Sequence, residues 1–133
     1  MVAIDTNVLV RVLVEDKNAL EQTQLARQFL KRVKQVYVPQ IVQVECVWVL
    51  ERAYSLSKGE LLKLLISLYE SPVFVLQSEG IFLQALTLFR ETQVGFADCL
   101  ILSESGLEEL ELVTFDKKLS QMQHCQLLVT ELQ

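Results

Sequence analysis

Short β-branched runs and longer helical stretches alternate along this chain from one end to the other. Val2-Ala3-Ile4, Val36-Tyr37-Val38, Val73 to Leu76 and Glu111 to Thr114 each read as a strand, and Gln126 to Val129 as a last short one. Parallel strands need a long crossover between them, usually a helix, whereas hairpins need only a tight turn. Here helical segments separate the strands throughout. The pattern predicts an α/β domain, with a parallel or mostly parallel sheet flanked by helices. No linker, repeat or low-complexity segment interrupts it, so a single domain over residues 1–133 is expected.

The helical stretches carry their own start and stop signals. Val8 to Val14 continues the opening strand as a short helix. Asn18-Ala19-Leu20-Glu21 has the form of a capping box and predicts a helix through Leu30. Ile41 to Tyr54 is apolar nearly all round, which predicts a mostly buried helix. Ser57-Lys58-Gly59-Glu60 is a second capping box, for a helix over Leu61 to Glu70 that stops before Pro72. Ser78 is expected to cap a helix through Phe89. A further helix is expected from about Ala97, ended by Gly106, and one more helical turn over Lys117 to Met122.

Composition removes several classes of function. The apolar N-terminal stretch is interrupted by Asp5, Asn7 and Arg11, unlike a signal peptide. No apolar run approaches the length of a membrane span; even Ile41 to Leu50 contains Gln43 and Glu45. Cys46, Cys99 and Cys125 lack paired metal-ligand spacing and lie among apolar neighbours, as small buried hydrophobes of a reducing cytoplasm do. His124 has no Ser or Cys motif with which to build a triad, and the four glycines are too scattered for a phosphate loop. The net charge of −5 argues against direct electrostatic binding of nucleic acid. That objection weakens if several of the acids bind one cation, because the remainder of the chain is then nearly neutral.

Four acids stand out by position. Asp5 and Asp116 follow strand ends, where an open parallel sheet builds its ligand sites. Either one alone is as readily a helix cap. Glu45 and Asp98 fall inside apolar helical stretches, with no Lys or Arg at i±3 or i±4. A buried carboxylate without such a partner needs a distant arginine, a raised pKa or a cation. If strand ends and helix starts converge at one sheet edge, all four meet and repel one another until a divalent cation neutralises them. Oxygen ligands without His or Cys select a hard metal, Mg²⁺ or Mn²⁺. Such metals serve phosphoryl chemistry.

The residues Asp5-Thr6-Asn7-Val8-Leu9-Val10, the helix-borne Glu45, Phe96-Ala97-Asp98-Cys99-Leu100-Ile101 and Val113-Thr114-Phe115-Asp116-Lys117-Lys118-Leu119 together resemble a PIN domain over nearly the whole chain. Within that family they look most like the VapC-type toxins of prokaryotic type II toxin–antitoxin pairs. The resemblance implies a doubly wound, mostly parallel α/β fold. It also implies a cytoplasmic Mg²⁺- or Mn²⁺-dependent endoribonuclease, a homodimer silenced by a cognate antitoxin. Asp5, Glu45, Asp98 and Asp116 would be its catalytic, metal-binding acids. Asn7 and Thr114 would hold those carboxylates in place. Many family members carry an Asp where this chain has Gly95, which leaves the number of metals open.

Two other readings share the same fold: a silent PIN scaffold that binds RNA or protein, and a housekeeping nuclease of RNA processing. A haloacid-dehalogenase phosphatase fits worse, since it would need an Asp where Asn7 stands. A receiver domain would need its Asp on an internal strand. Arg11, Lys117 and Lys118 lie close to site acids and are candidate phosphate contacts, with solvated surface charge the plainer alternative.

Overall fold

The computed structural model describes residues 1–129, so the last four positions of the expected domain lie outside it. Its fold is α/β, with parallel strands flanked by helices. The chain forms two compact units, Met1–Glu79 and Gly80 onward.

In the first unit, β1 (Val2–Ala3), β2 (Val36–Val38) and β3 (Phe74–Leu76) form one parallel sheet in the order β1-β2-β3. The central strand carries the burial: Val36 and Val38 are fully enclosed. The opening strand is exposed at Val2 and Ala3 and inserts only the following Ile4, because it lies at the sheet edge. Helix α1 (Thr6–Leu13) buries Leu9 and Val10 and packs against α2 (Leu20–Arg32) and α3 (Gln40–Arg52). Helix α4 (Lys58–Glu70) opens with the expected capping box: Ser57 accepts from Glu60 N, and the Glu60 carboxylate accepts from Ser57 N. Its Leu61, Leu65 and Leu68 recur at helical spacing and are all buried.

In the second unit, α5 (Glu79–Glu91) and α6 (Phe96–Leu107) precede the parallel pair β4 (Leu112–Thr114) and β5 (Cys125–Leu127). A 3-10 turn over Leu119–Gln121 joins the two strands. Phe96 meets Phe82 and Phe89 edge to face, each with ring centroids 5.8 Å apart.

Four local expectations are corrected. The start of α2 is not a capping box at Asn18. Asp16 accepts the Asn18 N–H and winds Lys17–Ala19 into a 3-10 turn, and Ala19 then leads into α2 without a side-chain cap. Ser78 takes a left-handed backbone (φ 53°), unlike the extended geometry of a helix N-cap. Gly106 does not end α6. Leu110 N donates to Ser105 O and Glu109 N to Gly106 O, a Schellman closure with Glu109 in the left-handed position (φ 58°) that glycine usually takes. Finally, α3 is not enclosed all round: it presents Ile41 (64% exposed) and Trp48 (59%) to solvent. Its buried stripe is Val42, Gln43, Cys46, Val47 and Leu50, a single face that suffices for a helix packed on one side.

Candidate active site

The first unit brings two of the four acids to neighbouring positions. Asp5 directly follows β1 and caps α1, its Oδ1 accepting from Val8 N at 3.0 Å. The next residue, Thr6, donates its hydroxyl to Glu45 Oε1 at 2.9 Å and so ties the middle of α3 to the end of the first strand. Asn7, expected to hold the carboxylates, makes no side-chain hydrogen bond among the described residues; the adjacent Thr6 makes one.

A residue read only as an interruption of an apolar segment sets the path of α3. Gln43 is buried, and its amide nitrogen donates to Val38 O at 3.2 Å and to Gln77 O at 3.0 Å. Gln77 in turn accepts from Gln40 N at 2.7 Å. These bonds fasten the first turns of α3 to the carboxyl ends of β2 and β3. Glu45 emerges on the opposite, exposed side of that helix. A buried polar side chain within an apolar run was the available signal, since such a group must find partners.

The second unit holds the other two acids. Asp98 lies in the first turn of α6, half-buried, with no hydrogen bond or ion pair among the described residues. Asp116 follows β4 and accepts from Lys118 N and Leu119 N through Oδ1. Thr114 accepts from Asp116 N at 3.0 Å and holds the backbone of that turn. Lys117 and Lys118 are exposed. Buried carboxylates were expected at Glu45 and Asp98; the former is exposed and the latter half-buried. Helix faces oriented by tertiary packing decide this, and apolar sequence neighbours do not.

Each of Asp5, Glu45 and Asp116 commits one oxygen to a protein donor and keeps the other. In the first unit, Asp5 and Glu45 offer hard carboxylate oxygens, which suit Mg²⁺ or Mn²⁺ better than a thiophilic metal. Within each unit, no group of three or more His, Cys, Asp or Glu among the described residues could hold a metal ion. Nucleophilic thiol chemistry is poorly served: burial pushes the Cys46 thiol up to about 12, and Cys99 is likewise buried.

Asp5 and Asn7 also line a groove of about 580 Å³ with Arg11, Leu25 and Phe29. Arg11 is held rigidly there. Its Nε donates to Gln22 Oε1 at 2.9 Å and its Nη1 to Tyr54 Oη at 2.8 Å, while Tyr54 donates onward to Asp16 Oδ2 at 2.7 Å. The Tyr54 hydroxyl, followed by the Asn18 N–H, holds the Asp16 carboxyl below the ordinary carboxylate range. Because the folded value is lowered, Asp16 contributes stability that is complete above its unfolded pKa. That stability is lost as pH falls through the folded value. Tyr54→Phe removes the main cause, so the Asp16 carboxyl should titrate at higher pH and the acid limb of unfolding should move up with it. Carbon-13 carboxyl shifts of Asp16 against pH measure this, and an unchanged midpoint would refute the assignment.

The family model for the PIN domain matches residues 2–124. Among curated proteins, none matches this chain. Among the described residues, no helix is long and apolar enough to cross a membrane.

Proposed function

This chain belongs to the PIN domain family, whose members are generally nucleases that use divalent metal ions, and on that premise we propose that it is a Mg²⁺- or Mn²⁺-dependent endoribonuclease. The observation that carries the reading is the Thr6–Glu45 hydrogen bond, which sets a second carboxylate beside the strand-end Asp5. A hydroxyl that grips one oxygen of Glu45 leaves the other available to a cation and limits the rotamers of a long side chain.

Asp5, Glu45, Asp98 and Asp116 are the acids that this proposal assigns to the cation. Held by these carboxylates, a cation would supply Lewis-acid chemistry: orientation of the phosphate, a more acidic water and charge balance at the departing oxygen. The protein's own residues provide the framework. Asp5 and Asp116 are locked by backbone N–H donors, so their remaining oxygens keep fixed directions. Asp98, without a protein donor, is the acid free to accept a proton from water as general base. Arg11 offers a fixed guanidinium to an RNA phosphate near Asp5.

The toxin reading is the finer part of the proposal and rests on the likeness of the DTN and TFDKKL segments to VapC-type chains. It carries with it a cognate antitoxin, a homodimer and a cytoplasmic site of action. A short neighbouring reading frame encoding a DNA-binding partner would support it over a housekeeping nuclease.

The direct test is cleavage of single-stranded RNA by metal-stripped protein. Activity should be absent in EDTA and return with added Mg²⁺ or Mn²⁺. Undiminished cleavage in chelator, by protein shown metal-free by elemental analysis, would end the mechanism.

A further inference from the structure

The exposed face of α3 has an order that the acid site alone does not explain. At 100° per residue, Ile41, Glu45, Trp48 and Arg52 fall within an arc of about 60°, while Glu51 lies about 60° to the other side of Trp48. Along the axis Trp48 stands about 4.5 Å beyond Glu45, and Arg52 about 6 Å beyond Trp48. Trp48 is the only tryptophan of the chain and is 59% exposed. The Arg52 guanidinium lies 5.5 Å from the centre of its ring, and Arg52 makes no hydrogen bond or ion pair among the described residues. A large indole left in water beside a cation with unused donors is an unfinished surface.

We infer that Trp48 and Arg52 form a stacking platform for one base of a single-stranded RNA whose scissile phosphate is held at Glu45. The sequence of groups along the helix, carboxylate for a metal-held phosphate, then ring, then guanidinium, follows the phosphate, base, phosphate order of a strand. The indole offers a π-face to any base, so the platform tolerates sequence. The guanidinium is already held against the ring, so less side-chain freedom is lost when it meets a phosphate farther along the strand. An RNA strand accounts for Glu45, Trp48 and Arg52 together. This inference rests on the nuclease reading for the phosphate at Glu45, and a second copy of the chain seated on the same face is the competing occupant.

The single tryptophan makes the test direct. A short single-stranded RNA and an abasic strand of equal length are mixed with the full chain in Mg²⁺. Indole fluorescence is read before the first turnover, and cleavage is followed separately on gels. The RNA should quench Trp48 and the abasic strand should not. Trp48→Ala should weaken RNA binding about tenfold or more, the scale of one lost base stack, and raise KM more than it lowers kcat, while Trp48→Phe should restore most of the loss. Arg52→Ala should reduce the salt slope of binding by about one.

RNA binding by anisotropy without quenching, or Trp48→Ala binding like wild type, would overturn the platform. So would a fluorescence change on protein dilution without RNA, accompanied by a dimer that Trp48→Ala dissociates, since a second copy then covers the face. Quenching without cleavage would remove the nuclease reading and leave the platform standing. Cleavage without quenching would do the reverse.

Discussion

Asp98→Asn is expected to lower RNA cleavage about 100-fold or more, the scale for losing a positioned general base, while leaving the folded chain no less stable in EDTA. Asp98 sits in the first turn of α6 without a hydrogen bond or ion pair among the described residues. Replacing it therefore breaks no observed bond, and Asn preserves its size. A structural acid in an ion pair would behave oppositely, because its loss leaves a charge uncompensated. If the four acids share a cation, the metal-free wild type also stores repulsion that the mutant relieves. The mutant should then melt at an equal or higher temperature in EDTA. It should also lose most of the stabilisation that Mg²⁺ confers on wild type, since a ligand stabilises only the state that binds it. Paired melts of wild type and mutant, with and without Mg²⁺, read all of this. A mutant that melts lower in EDTA but keeps the full Mg²⁺ shift would make Asp98 structural and end the four-acid proposal.

Phe96→Ala should give the largest loss of stability of any substitution considered, about 3–5 kcal/mol. The ring is almost wholly buried and lies edge-on to both Phe82 and Phe89, at interplanar angles of 67° and 80°. Removing it forfeits its burial, both edge-to-face contacts and the packing around the void, which two flanking rings cannot readily fill. The melting temperature should fall on the order of 10 °C. Phe96 also stands two residues before Asp98, at the first residue of α6. Phe96→Leu, which retains most of the volume, should recover the greater part of the stability. Urea unfolding of the three proteins measures the effect. A loss below about 1 kcal/mol for the alanine variant would mean that the neighbouring rings collapse into the space.

The alternation of strands and helices was legible in the chain because both periods are local. Val36–Val38 and Leu61, Leu65 and Leu68 carry their partner geometry within a few residues. The Ser57–Glu60 capping box was legible for the same reason, since all of its hydrogen bonds close within one turn. Asp5 and Asp116 were recognisable as strand-end acids, and their backbone hydrogen bonds are equally local.

Long-range choices were decided by tertiary structure. Nothing near Glu45 in sequence announces Thr6, 39 residues away, as the donor that grips it. Nothing near Gln43 names Gln77 as the residue whose carbonyl it reaches. The exposure of Trp48 is the clearest case. An apolar helix reads the same whether it is enclosed or covered on one side, because hydrophobicity says that a side chain can be buried and not that a neighbour exists to bury it. The buried stripe of α3 follows the elements packed against it, and the face left in water carries Glu45, Trp48 and Arg52.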